Sequence, residues 1–213
     1  MRLDKKAMTL YAVTDRAWVG RQSLFEQVEC CLKGGATCVQ LREKELAFED
    51  FLNEAQELVP LCRSYNVPLF INDNVEIAIR SGADGVHVGQ DDMEVSEVRR
   101  RVGDRMLIGV SAHSVDEALR AVRGGADCLG VGAVFPTSTK ADADALPFET
   151  LRDICSAVEV PVVAIGGIKK SNIMRLRGSG VDGVALVSAI FSAGDIELEC
   201  RELKKLSEQM VNP

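Results

Sequence analysis

The sequence predicts a single α/β domain, a (βα)8 TIM barrel occupying the whole chain, 1–213, and three observations predict it. Four segments resemble one another: GGATCVQLRE from Gly34, SGADGVHVGQ from Ser81, GGADCLGVGA from Gly124 and SGVDGVALVS from Ser179. Each reads as a helix-ending glycine, a small or acidic turn residue and a short apolar strand. Each of these segments is preceded by one further β-rich run, so strands come in pairs. Amphipathic stripes lie between the runs, and continuous apolar strands alternating with such helices imply a parallel sheet covered by helices. An open, doubly wound sheet has the same alternation but no reason to repeat so evenly to the end of the chain.

Taken in order, TLYAVTD (9–15) is the first strand, and the run ending in QLRE is the second. Phe51, Leu52, Ala55, Leu58, Val59 and Cys62 recur at helical spacing before the third strand, VPLFIND (67–73). GVHVG is the fourth and MLIGVSA (106–112) the fifth; the stripe Val115, Ala118, Leu119, Val122 then leads to the sixth, CLGVGAV. Leu151, Ile154, Cys155 and Val158 make the next stripe, followed by the seventh strand in VPVVAIGG (160–167). Ser171-Asn172 signals a helix start. GVALVS is the eighth strand, and Ile196, Leu203, Leu206 and Met210 form the closing helix.

Composition narrows the function. With 46% apolar residues the chain can bury one large core. The net charge is −7, and no Lys/Arg cluster is long enough to follow a nucleic-acid backbone or an anionic membrane. No run of about eighteen apolar residues occurs, and AMTLYAV is cut off by Asp15-Arg16, too soon for a secretory signal. The expectation is a cytosolic protein acting on small-molecule substrates, without nucleic-acid or membrane partners; a homo-oligomer is compatible with it. The seven cysteines lack CxxC or zinc-like spacing. They read as small hydrophobes of strands and helices.

Barrel active sites lie at the C-terminal ends of the strands. Those ends read TDR, QLREKE, NDN, GQDD, SAH, FPTSTK, GGI and VSA. Glycines at GGI and a helix start beside them suit a phosphate, whose oxygens can approach backbone N–H groups. Asp73 and either Asp91 or Asp92 end adjacent strands and could share one Mg2+, which accepts a few carboxylates together with water and substrate phosphates. Arg42, Lys44 and Lys140 would neutralise a polyanion. Gln40, Arg42 and Lys44 fall on one face by strand alternation. His87 and His113 are the only histidines, and neither has an obvious acidic partner in sequence. A site short of acid–base groups but rich in anion and metal binders favours departure of diphosphate over proton abstraction.

From YAVTDR to LVSAIF, the segments VQLREKE, INDN, HVGQDD, GVSAH, FPTSTK, AIGGI and VSAIF together resemble the thiamine-phosphate synthase family of (βα)8 enzymes. The resemblance implies that a pyrimidine-methyl diphosphate loses diphosphate, dissociatively through a pyrimidine carbocation, and that the ring nitrogen of a thiazole phosphate, or of its carboxylated form, takes its place. It implies that Gln40, Leu41, Arg42, Glu43 and Lys44 hold the pyrimidine diphosphate, with Asn72, Ser111 and Lys140 as further contacts. Arg42, Lys44, Asn72, Ser111 and Lys140 would be catalytic. Asp73 and Asp92 would be the Mg2+ ligands. Thr137, Ser138 and Thr139, with Gly167, Val187 and Ser188, would hold the thiazole phosphate. The competing readings are a thiazole tautomerase-like or non-catalytic phosphate-binding barrel, and a Schiff-base aldolase using Lys44 or Lys140.

Overall fold

In the computed structural model, which describes residues 3–20, 22–137 and 145–212, eight parallel strands close into a barrel in chain order. They are β1 (Leu10–Val13), β2 (Cys38–Leu41), β3 (Leu69–Asn72), β4 (Gly85–Val88), β5 (Leu107–Ala112), β6 (Cys128–Val131), β7 (Val162–Ile165) and β8 (Gly183–Leu186). Helices α1 (Leu24–Lys33), α2 (Phe48–Ser64), α3 (Val75–Ser81), α4 (Val95–Val102), α5 (Val115–Arg123), α6 (Phe148–Ala157), α7 (Ser188–Phe191) and α8 (Ile196–Val211) surround them. Every strand expected from the sequence is present. No described helix is long and apolar enough to cross a membrane.

The strands are apolar on both faces because there are two cores. Leu10, Ala12, Val39, Leu41 and Ile71 point outward into the layer under the helices, while Tyr11, Val13, Cys38, Phe70 and Leu107 point into the barrel. Alternation along each strand does this sorting. Toward the C-terminal end the inward positions turn polar: Gln40, Asn72, His87 and Ser111 occupy the next layer on β2 to β5. The core of the molecule thus ends where the site begins.

The fourfold repeat has a physical origin at the opposite end. Thr37, Asp84, Asp127 and Asp182, one in each repeat, sit just before or at the entry of an even-numbered strand. Their side chains accept the backbone N–H of Leu10, Leu69, Ile108 and Val162 at 2.8–3.0 Å. Each of the four also donates its own backbone N–H to the carbonyl of that same residue. The turn residue of the repeat, Thr in the first and Asp in the other three, is therefore a clip between an odd strand and the next even one. The preceding glycine makes the turn, as Gly82 does at φ 73° and Gly125 at 102°.

The helix expected after Ser171-Asn172 is not formed. Asn172 Oδ1 accepts the Lys169 N–H at 2.7 Å, and its Nδ2 donates to the Gly167 carbonyl at 2.9 Å. The side chain that would cap a helix instead closes the turn before it, and only a 3-10 turn, Ile173–Leu176, follows. The seven cysteines are free thiols. Burial pushes Cys62, Cys128 and Cys155 up to about 12, so they pack as hydrophobes.

Candidate active site

Gln40 leads the cluster at the C-terminal end of β2. It is buried inside the barrel, and its Nε2 donates to Tyr11 Oη at 2.9 Å. Leu41 points outward into the core, so its side chain holds strand position and offers no polar atom. Arg42 faces Asp15, Nη1 to Oδ2 at 3.4 Å. Lys44 is ion-paired with Asp73. Glu43, between them, turns the other way: its carboxylate is bound in a fork by Arg16 at 2.8 and 3.1 Å, and its side chain is 1% exposed.

Asn72 and Asp73 end β3, and the Asn72 amide donates to the Asp73 carboxylate. Asp73 has φ 61°, a left-handed conformation that Asp tolerates better than most residues. Its N–H donates to the His87 carbonyl at 2.8 Å. The Asp73 carboxyl is raised above its ordinary range by burial; Lys44 pulls it back, and the adjoining Asp92 carboxylate pushes it up again. Asp92 also closes its own turn by accepting the Gly89 N–H at 2.7 Å. Two like-charged carboxylates side by side are the donor pair a divalent cation would bridge. Among the described residues no group of three His, Cys, Asp or Glu side chains forms a closed cage, and Mg2+ accepts such an open pair with water and substrate oxygens.

The histidines separate into two unrelated roles. His87 Nε2 lies 3.1 Å from Ser111 Oγ, and burial lowers its pKa to about 4. A Cβ on Gly109 would collide with its Nδ1, and one on Gly130 would stand 3.3 Å from its Cε1, so two glycines make room for the ring. His113 is exposed and pairs with Glu117, one turn along at the start of α5, Nδ1 to Oε2 at 3.1 Å. This is an acidic partner at the helical i+4 spacing that the sequence reading passed over.

On the far side, Val134 and Phe135 donate backbone N–H groups to the carbonyls of Ile165 and Gly166 at 2.9 and 3.1 Å. The loop after β6 therefore lies on the GG turn after β7. Gly166 and Gly167 have φ 96° and 67°, and a Cβ on Gly167 would strike the carbonyls of Phe135 and Pro136. Thr137 follows directly. Ser138, Thr139 and Lys140 lie outside the described residues. Val187 and Ser188 are half-buried at the start of α7, a single turn of helix. The N-terminal dipole expected beside the glycines is thus confined to this turn and the 3-10 turn after β7.

The thiamine monophosphate synthase family model matches residues 10–190 of the chain. The chain belongs to the thiamine-phosphate synthase family. Its activity is accordingly thiamine-phosphate synthesis, a transferase reaction of thiamine biosynthesis. It is 47% identical over 192 residues to a thiamine-phosphate synthase of Clostridium acetobutylicum, covering 90% of this chain and 91% of that one. It is 48% identical over 198 residues to one of Chloroflexus aurantiacus, covering 92% and 91%. A solved structure of the thiamine phosphate pyrophosphorylase from Pyrococcus furiosus superposes with a TM-score of 0.89 at 38% identity, over 98% of this chain and 99% of that one.

Proposed function

We propose that the polar strand ends of this barrel carry out the coupling by Mg-assisted dissociative substitution, with the residues divided between two anion sites. The observation that carries the reading is the convergence of Arg42, Lys44, Asn72, Asp73 and Asp92 at the ends of three adjacent strands. Two cations and two acids placed together suit a Mg-bound diphosphate better than any single phosphate. Asp73 and Asp92 would hold Mg2+, whose chemistry there is to neutralise charge on the departing diphosphate.

The protein groups then have distinct tasks. Gln40, with its Nε2 engaged by Tyr11, leaves Oε1 to accept from the pyrimidine amino group, and Ser111 contacts the same ring. Arg42 and Lys44 hold the diphosphate oxygens, Lys44 turning from Asp73 to the substrate. The bond from the pyrimidine methylene to oxygen breaks, leaving the electron pair on diphosphate, and the thiazole nitrogen supplies the pair for the new bond. Thr137, Gly167, Val187 and Ser188 hold the thiazole phosphate, with Gly167 offering its N–H. Ser138, Thr139 and Lys140 join these sites on the strength of the family resemblance.

No proton needs to be taken from carbon, which agrees with the histidines. His87, at about 4, is neutral at physiological pH and engaged with Ser111, while His113 serves α5. A tautomerase would need a proton-transfer group, and both histidines are engaged elsewhere. Lys44 is more than half exposed and ion-paired, unlike a desolvated Schiff-base lysine. The test is diphosphate release by the purified protein with Mg2+ and pyrimidine diphosphate, with and without thiazole phosphate, reading thiamine phosphate by mass. Product only with both substrates and metal is expected; thiazole phosphate binding without product would sink the coupling reading.

A further inference from the structure

Among the described residues, the end of β1 carries polar side chains that have no task in the coupling itself. Its three residues, Thr14, Asp15 and Arg16, nevertheless hold the diphosphate-binding segment residue by residue. Thr14, fully buried, donates its N–H to the Gln40 carbonyl and accepts the Arg42 N–H on Oγ1, both at 2.9 Å. Asp15 accepts the Ala17 N–H on Oδ1 at 2.9 Å, which fixes its carboxylate and leaves Oδ2 toward Arg42. Arg16 takes both oxygens of Glu43 and reaches on to Glu54 in α2. The dipeptide Asp-Arg thus faces the dipeptide Arg-Glu with opposite charges in register.

We propose that Asp15 and Arg16 are positioning residues for the diphosphate site, a proposal that rests on Arg42 and Lys44 being the diphosphate cations. Two physical effects combine. Just past the end of β2, Glu43 is buried against Arg16 while the side chains of Arg42 and Lys44 on either side of it meet Asp15 and Asp73, so gripping Glu43 from behind fixes the backbone that carries both cations. The grip also removes a competitor: an unbound Glu43 carboxylate, one residue from each cation, would pair with Arg42 or Lys44 and cancel the charge meant for diphosphate. Asp15 engages only one nitrogen of Arg42, leaving the rest of the guanidinium fork for phosphate oxygens. Glu43, which the family resemblance groups with the substrate contacts, acts here through Arg16 and touches no substrate.

The test compares Arg16→Lys with the pair Arg16→Gln plus Glu43→Gln, which avoids leaving the buried Glu43 carboxylate alone. KM is measured separately for pyrimidine diphosphate and thiazole phosphate, together with inhibition by inorganic diphosphate in Mg2+. The double variant is expected to raise KM for pyrimidine diphosphate and the inhibition constant of diphosphate about 10-fold or more, with KM for thiazole phosphate within about twofold. Arg16→Lys, keeping one charged donor, should recover part of the loss. Unchanged constants, or equal loss for both substrates, would overturn the proposal as describing structural support only. Arg42→Ala is the control on its foundation: if that variant binds diphosphate normally, the diphosphate assignment and the clamp fall together, whereas a strong Arg42 effect with no Arg16 effect removes the clamp alone.

Discussion

Asp73 concentrates the demands on a single residue. It stands at positive φ, half-buried, with a cation and another carboxylate against it. Asp73→Asn is the informative change, because Asn tolerates the same backbone conformation and keeps the volume while removing the charge. Activity should fall by at least about 100-fold and its Mg2+ dependence should weaken. Thermal stability should change little, the exposed Lys44 pair contributing about 1 kcal/mol at most. Full activity with unchanged Mg2+ titration would rule out Asp73 as a metal ligand. Gly109 tests the opposite kind of constraint. Gly109→Ala drives a methyl group into the His87 ring, and overpacking of this kind should cost about 1–3 kcal/mol in urea unfolding; an unshifted midpoint would mean that the ring moves freely. At this scale the sequence revealed what alternation can reveal. Gln40, Arg42 and Lys44 share a face by counting, but that Glu43 meets Arg16, that Gly109 and Gly130 house His87, and that Glu117 meets His113 are long-range or local geometries that residue type does not announce.

Among the elements, strands were readable because the barrel buries both of their faces, leaving apolar runs without an alternating polar face. The stripes of α2, α5, α6 and α8 were readable, whereas α3, α4 and α7, of seven, eight and four residues, are too short to display a helical period; α1, of ten residues, went unread although its length would have allowed it. The stripe on α6 ran one residue too far: the helix ends at Ala157, and Val158 is extended. Ser171-Asn172 misled because Asn caps helices and closes turns by the same hydrogen bonds, and the Gly167 carbonyl and Lys169 N–H decided between them. The small or acidic turn residue of each repeat was visible as a turn signal, though its partner strand was not. Asp127 is the strongest instance, accepting the Ile108 N–H at 2.8 Å while paired with Arg99 at 2.6 Å. Asp127→Ala should therefore destabilise the protein by about 1–3 kcal/mol in urea unfolding. Both KM values should stay unchanged, since the clip is at the end of the barrel remote from the site; a shifted KM would show that the two ends are coupled.

For the whole molecule, the two cores divide labour: the outer one, between sheet and helices, is apolar throughout, and the inner one gives way to a polar layer under the active site. That layer makes stability depend on pH. His87 is buried, which lowers its pKa to about 4, and the Asp92 carboxylate in the turn after β4 opposes that shift. In the unfolded chain His87 takes up a proton near its ordinary 6.5, in the folded protein only near 4. Between those values the unfolded state binds more protons, so acid favours unfolding. The His87 contribution is complete above about 6.5 and is lost as pH falls toward about 4, by up to about 3 kcal/mol. Asp73 and Glu43 act in the opposite sense, because burial raises both carboxyls and the folded state holds their protons to higher pH. The net slope is therefore shallower than His87 alone would give, and a single pH series cannot isolate it. Comparison with His87→Gln can, since Gln keeps an amide within reach of Ser111 but does not titrate. Urea unfolding from pH 7.5 down to 4.5 should show the parent protein losing about 2–3 kcal/mol more than the variant over that range. Parallel stability curves would mean that the buried imidazole accepts its proton in the folded state as readily as in the unfolded one, through a rearrangement of β4 and β5 that opens Nδ1 to water.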